Sequence, residues 1–99
     1  MSEQAVYKEK VDTGINKPNL YRVILLNDDY TTMDFVVEVL ITIFQKPVTE
    51  ATKIMLDVHE KGKGIVGVYT YDIAHTKTVQ VEEMSREREF PLKAVMEEA

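Results

Sequence analysis

The chain has 99 residues, enough for one hydrophobic core and no second one. An apolar fraction of 44% against 29% charged residues describes an ordinary globular chain, and the absence of cysteine excludes disulfides, thiolate metal sites and thiol nucleophiles. A net charge of −5 with scattered basic residues argues against nucleic acid, and no apolar run has the length of a membrane span or signal peptide, so the cytoplasm is the expected compartment.

In chain order, residues 1–18 read as a flexible tail ahead of a core domain at 19–99. Val6, Tyr7, Val11 and Ile15 show no sustained period, and Gly14, Asn16 and Pro18 discourage a helix. Tyr21 to Leu26 is an apolar run that reads as a largely buried strand. Asn27, Asp28, Asp29, Tyr30, Thr31 and Thr32 follow, with more polar groups than a turn needs. The spacing of Met33, Val36, Val37, Leu40, Ile43 and Phe44 predicts a helix from Met33 to Phe44. Thr31 and Asp34 have capping-box spacing, and Lys46-Pro47 is expected to end the helix.

A second helix is predicted from Thr49 to Lys61, with Gly62 as its left-handed cap. Ala51, Met55, Val58 and His59 lie away from its polar stripe. Gly62-Lys63-Gly64 reads as a turn, and Ile65 to Tyr71 as a second strand in which Gly67 marks a bulge or a close neighbour. Asp72 is the expected N-cap of a third helix to about Arg88, with Ala74, Thr78 and Val81 inward and Ile73 and Met84 flanking. Phe90-Pro91 breaks that helix, and the alternation from Leu92 to Glu97 predicts a last strand. The order β-α-α-β-α-β suggests a small α/β sandwich, a three-stranded sheet with helices packed on it. The pattern leaves the strand directions open.

No nucleophile elbow, phosphate loop or dinucleotide fingerprint is present, and His59 and His75 lack the spacing of a zinc helix. Adjacent carboxylates on an extended segment point to opposite sides, so Asp28 and Asp29 make a poor acid–base pair. Neither catalysis, metal nor cofactor is signalled. Binding fits better. Asn27, Asp29 and His59 offer an amide oxygen, a carboxylate and an imidazole nitrogen, and Met33, Val36, Met55 and Val58 are expected near them. Acceptors beside an adaptable apolar pocket suit a primary ammonium that carries a large hydrophobic side chain. The competing readings are a small hydrolase or lyase using His59 and Asp29, and an interaction domain whose polar turn only caps a helix.

The block from Tyr21 through Asn27-Asp28-Asp29-Tyr30-Thr31-Thr32-Met33 to Val36 resembles the ClpS family of protease adaptors. Ala51 to His59 with Gly62-Lys63, Gly67 to Lys77, and Pro91-Leu92 continue the resemblance, which runs from about Pro18 to Ala99. One departure is Thr32, where the family often has proline at the first helical position. The resemblance implies an antiparallel sheet and a non-enzymatic adaptor. Such an adaptor delivers N-degron substrates, those beginning with Leu, Phe, Trp or Tyr, to a Clp-type AAA+ unfoldase (ClpA- or ClpC-like) and its peptidase. It implies that Asn27, Asp29 and His59 hold the substrate's α-amino group. Met33, Val36, Met55, Val58 and Leu92 then line the side-chain pocket, with Asp28 and Thr31 at its rim. Asp72 and Lys77 fall on the unfoldase-docking surface by the same resemblance, and the tail assists delivery. Simple N-capping for Asp72 and a solvated helix face for Lys77 are the plainer alternatives.

Overall fold

The structure is a computed structural model in which residues 19–99 are described. Strand β1 (Leu20–Leu26) is followed by helices α1 (Met33–Thr42) and α2 (Val48–Lys61), strand β2 (Lys63–Thr70), helix α3 (Tyr71–Glu87) and strand β3 (Lys93–Glu98). The sheet order is β2-β1-β3 and both pairings are antiparallel, which supplies the directions that periodicity left open.

β1 is central, so both its edges are paired, and Val23, Ile24 and Leu25 are all buried. Successive strand side chains alternate between faces, and the face of Val23 and Leu25 receives the helices. A single core joins these two residues to Phe35, Val39 and Leu40 of α1, Ala51 and Ile54 of α2, and Ala74 and Val81 of α3. Each fully buried Leu or Val contributes about 1.5–3 kcal/mol over an exposed one, so this one layer of helix on sheet carries the fold. On the opposite face Arg22 reaches across to Glu97 at 3.1 Å, directly opposite it in the register. The bulge expected near Gly67 is present: the β1–β2 register shifts between Val23 and Ile24, leaving Val66 as the extra residue.

Several local expectations are corrected. Thr32, not Thr31, caps α1, its hydroxyl accepting from the Phe35 N–H at 3.2 Å, so the Thr31–Asp34 capping box does not form and Thr32 lies before the first helical residue. α1 ends at Thr42, ahead of Lys46-Pro47. Gln45 takes a left-handed φ of 52°, and the Lys46 N–H closes back on the Leu40 carbonyl. Lys63-Gly64 belongs to β2 rather than to a turn. Gly62 alone reverses the chain, at φ 88°. Asp72 is not the N-cap of α3, because β2 runs straight into the helix and Thr70 occupies the cap position. Asp72 sits in the first turn, where its charge still favours the helix dipole. Ile73, expected to flank the buried face, is exposed.

Arg88, just past α3, grips Glu38 of α1 with both guanidinium arms (Nη1 to Oε1 at 3.0 Å) and lies 5.4 Å above the Phe35 ring. This bidentate pair ties the end of α3 to the middle of α1.

Candidate functional site

The site expected from the sequence is built where β1 runs out. The Asn27 N–H donates to the Gly62 carbonyl at 2.9 Å, and Leu26 pairs with Lys63. Those two contacts join the polar turn after β1 to the C-terminal end of α2, whose last turn carries His59. Gly62 makes this possible, because its left-handed conformation turns the chain into β2 and leaves its carbonyl free for Asn27.

Asn27, Asp29 and His59 are all exposed. Among the described residues, none of the three side chains makes a hydrogen bond within the protein, so their acceptors remain available to a ligand. Asp28 behaves differently. Its carboxylate folds back on its own turn, accepting from the Tyr30 N–H at 2.8 Å and from both the N–H and the hydroxyl of Thr31. It is an organiser of the loop. Asp28 and Asp29 thus divide the work, one fixing the turn and the other facing solvent.

Of the apolar residues, Val36, Val58 and Leu92 lie in the single core, with Met55 packed against it half-buried. Met33 stands apart as the first residue of α1, 44% exposed. Val36 and Met33 share the first turn of α1, while Met55 and Val58 share the last two turns of α2. The apolar set therefore grades from core to surface, with the two methionines outermost. Their unbranched thioethers adapt to a guest more readily than the valines beneath them.

Asp72 and Lys77, the docking residues expected from the resemblance, both lie on α3. Both border a hollow of about 250 Å³ along α3, together with Ile73 and Thr76. Ile73 adds exposed apolar surface there, and Tyr71, exposed in the same first turn of α3, stacks on His75 instead; neither was among the expected contact residues. Their signal was an apolar pair flanking Asp72 at a helix start, which reads equally well as core. Lys77 points elsewhere. Its ammonium donates to the Ile43 carbonyl at 2.7 Å, across the seam between α3 and α1.

A three-stranded antiparallel sheet with one helical layer, its polar turn after β1 tied to the end of α2, defines a small α+β domain. The chain belongs to the ClpS family: residues 16–95 match the family described as ATP-dependent Clp protease adaptor protein ClpS. It is 65% identical over 97 residues to the ATP-dependent Clp protease adapter protein ClpS of Acetivibrio thermocellus, covering 98% of each chain. Identity to the same adapter of Syntrophus aciditrophicus is 62% over 84 residues, or 85% of this chain and 78% of that one. The solved structure of Agrobacterium tumefaciens ClpS2 bound to L-phenylalaninamide superposes with a TM-score of 0.81. It is 37% identical and covers 84% of this chain and 100% of that one. The protein is thus an adaptor of the ATP-dependent Clp protease, and its relatives are named as adapters rather than as proteases. Among the described residues no helix is long and apolar enough to cross a membrane.

Proposed function

We propose that the protein binds the free α-amino group and the large hydrophobic side chain of substrates beginning with Leu, Phe, Trp or Tyr. It hands them to a ClpA- or ClpC-like AAA+ unfoldase and its peptidase in the cytoplasm, and performs no chemistry itself. Asn27, Asp29 and His59 receive the ammonium. Met33, Val36, Met55, Val58 and Leu92 receive the side chain, with Asp28 and Thr31 holding the rim. The observation that carries this reading is an exposed acceptor set, without side-chain partners among the described residues, whose Asn27 is joined to the end of α2 through its hydrogen bond to Gly62. The ligand of the Agrobacterium tumefaciens relative supports it, since phenylalaninamide presents an α-amino group, a benzyl side chain and a carboxamide where a peptide would continue.

The core domain at 19–99 suffices for recognition, and residues 1–18, outside the described residues, serve delivery. The test pairs two assays. A Phe-initiated reporter degraded by the complete unfoldase–peptidase is expected to be consumed faster with the adaptor present than without it. Deleting residues 1–17 is expected to leave peptide affinity intact while slowing that degradation. An adaptor that leaves reporter turnover unchanged contradicts the delivery role. Equal loss of affinity and degradation on truncation contradicts the division of labour.

A further inference from the structure

The chain has no cysteine and five methionines, so thioethers are its only sulfur redox centres. Four of them fall among the described residues, and they are not alike. Met55 on α2, Met84 on α3 and Met96 on β3 are half-buried and pack against the core. Met33 belongs to no such cluster. It is the first residue of α1 and 44% exposed, on a backbone fixed by the Thr32 cap beside it. An oxidant in solution meets its sulfur first.

We propose that Met33 is an oxidation-sensitive modification site: a peroxide or hypohalous acid converts it to the sulfoxide, which weakens capture of Leu- and Phe-initiated substrates, and reduction restores it. The inference rests on the binding reading above, in which Met33 and Met55 wall the side-chain pocket. With hydrogen peroxide the thioether sulfur gives up two electrons and gains one oxygen atom, while the O–O bond breaks and the peroxide leaves as water. Reversal takes a dithiol, which becomes a disulfide as the oxygen departs as water. The product is polar and chiral where the thioether was apolar and adaptable. Its oxygen accepts hydrogen bonds and donates none. The donors of the adjoining turn are already engaged: Asp28 holds the Tyr30 and Thr31 N–H groups and the Thr31 hydroxyl, and Thr32 holds the Phe35 N–H. A hydrocarbon guest then presses against an unpaired dipole, which costs affinity. The fold is spared, because Met33 lies outside the core.

The test treats the full chain with graded hydrogen peroxide, follows each methionine by peptide mass, and titrates a Phe-initiated peptide at every stage. Met33 is expected to gain its oxygen ahead of Met55, Met84 and Met96. Affinity falls roughly ten-fold in step with it, and the melting temperature stays in place. The two methionine sulfoxide reductases, one for each epimer, with a dithiol restore the affinity. Met33→Leu, close in volume and without sulfur, is compared only with itself before and after oxidant, and is expected to hold its own starting affinity. Met55→Leu stays sensitive. Oxidation of another methionine first, full affinity with Met33 oxidised, or an equal fall in Met33→Leu each overturn the inference. If the untreated protein binds no peptide, the binding reading itself has failed and the switch falls with it. If it binds and the oxidised protein binds equally well, the switch alone is lost.

Discussion

Asp28 and Thr31 form a closed pair at the mouth of the site: Oδ1 accepts the Thr31 N–H at 2.7 Å and Oδ2 accepts the Thr31 hydroxyl at 2.6 Å. The two residues between them, Asp29 and Tyr30, are thereby held in a closed turn, with Asp29 exposed to solvent. Burial raises the Asp28 carboxyl, but the Thr31 hydroxyl, the Thr31 N–H and the Tyr30 N–H outweigh it, leaving the group below its ordinary value of 3.8.

A folded-state value below the unfolded one means stability that is present above the unfolded value and lost as pH falls through the folded one. Asp28→Asn is therefore expected to cost about 1 kcal/mol at neutral pH, with the deficit shrinking below about pH 4. Urea melts of both proteins at neutral and acid pH check this. A deficit of the same size at both contradicts the assignment.

Gly64 lies beneath α2, where an added Cβ would stand 2.8 Å from Val58 Cγ2 and 2.9 Å from the Ile54 carbonyl oxygen. A backbone oxygen cannot swing aside, so Gly64→Ala is expected to cost ~1–3 kcal/mol and to displace Val58 from its place near the site. Gly62→Ala meets nothing within 4 Å and is strained only through its left-handed φ of 88°, a cost of about 1 kcal/mol. Thermal unfolding ranks the two. If Gly64→Ala melts with the unsubstituted protein, the close packing of α2 on β2 is not as described.

This contrast shows why parts of the chain were legible and others were not. The helix cap at Gly62 could be read because a glycine after a polar helical turn has one common use. Gly64 carries the same letter two positions on, but it is needed for close approach to Val58 and Ile54, a relation between distant segments, and so it passed for part of a turn. Thr31 and Thr32 present identical hydroxyls before α1. Only the position of the Asp28 carboxylate decides that Thr31 bonds backward and Thr32 caps the helix. Asp72 was read as a cap because the β-prone Tyr71 was counted in the strand, whereas β2 ends at Thr70 and Tyr71 is already the first residue of α3. The element order and the polar block after β1 were plain from the sequence, but the core faces only in part. Spacing found Val36, Leu40, Ala51 and Val58 and passed over Phe35, Val39 and Ile54, while His59, placed with the apolar face of α2, is exposed. Which apolar residues near that block are core and which are surface was not plain, because Met33 and Val36 share one helical stripe and differ only in distance from the sheet.

Met33 is exposed at the start of α1, and on the proposed reading it is part of the wall against which a bound side chain rests. A ligand held by its α-amino group has its β-carbon at a set point, so branching there meets the wall first. Leu and Phe branch one carbon later. An enforced clash costs ~1–3 kcal/mol, roughly ten- to hundred-fold in affinity. Met33→Ala is thus expected to raise affinity for Ile- and Val-initiated peptides while leaving Leu and Phe equal or weaker. Four peptides differing only at the first residue test it. Continued exclusion of Ile and Val moves the filter away from Met33, to Met55.

The central claim is that the exposed acceptors read a free α-amino group. Fluorescence-polarisation titration of one Leu-initiated peptide, with its terminus free or acetylated, tests it most directly, repeated on Asp29→Ala and His59→Ala. Removing an acceptor from a charged donor costs about 1.5–3 kcal/mol, more than ten-fold in affinity. The account predicts that acetylation abolishes binding and that each substitution weakens the free peptide at least ten-fold. Equal binding of the acetylated and free peptides would contradict it.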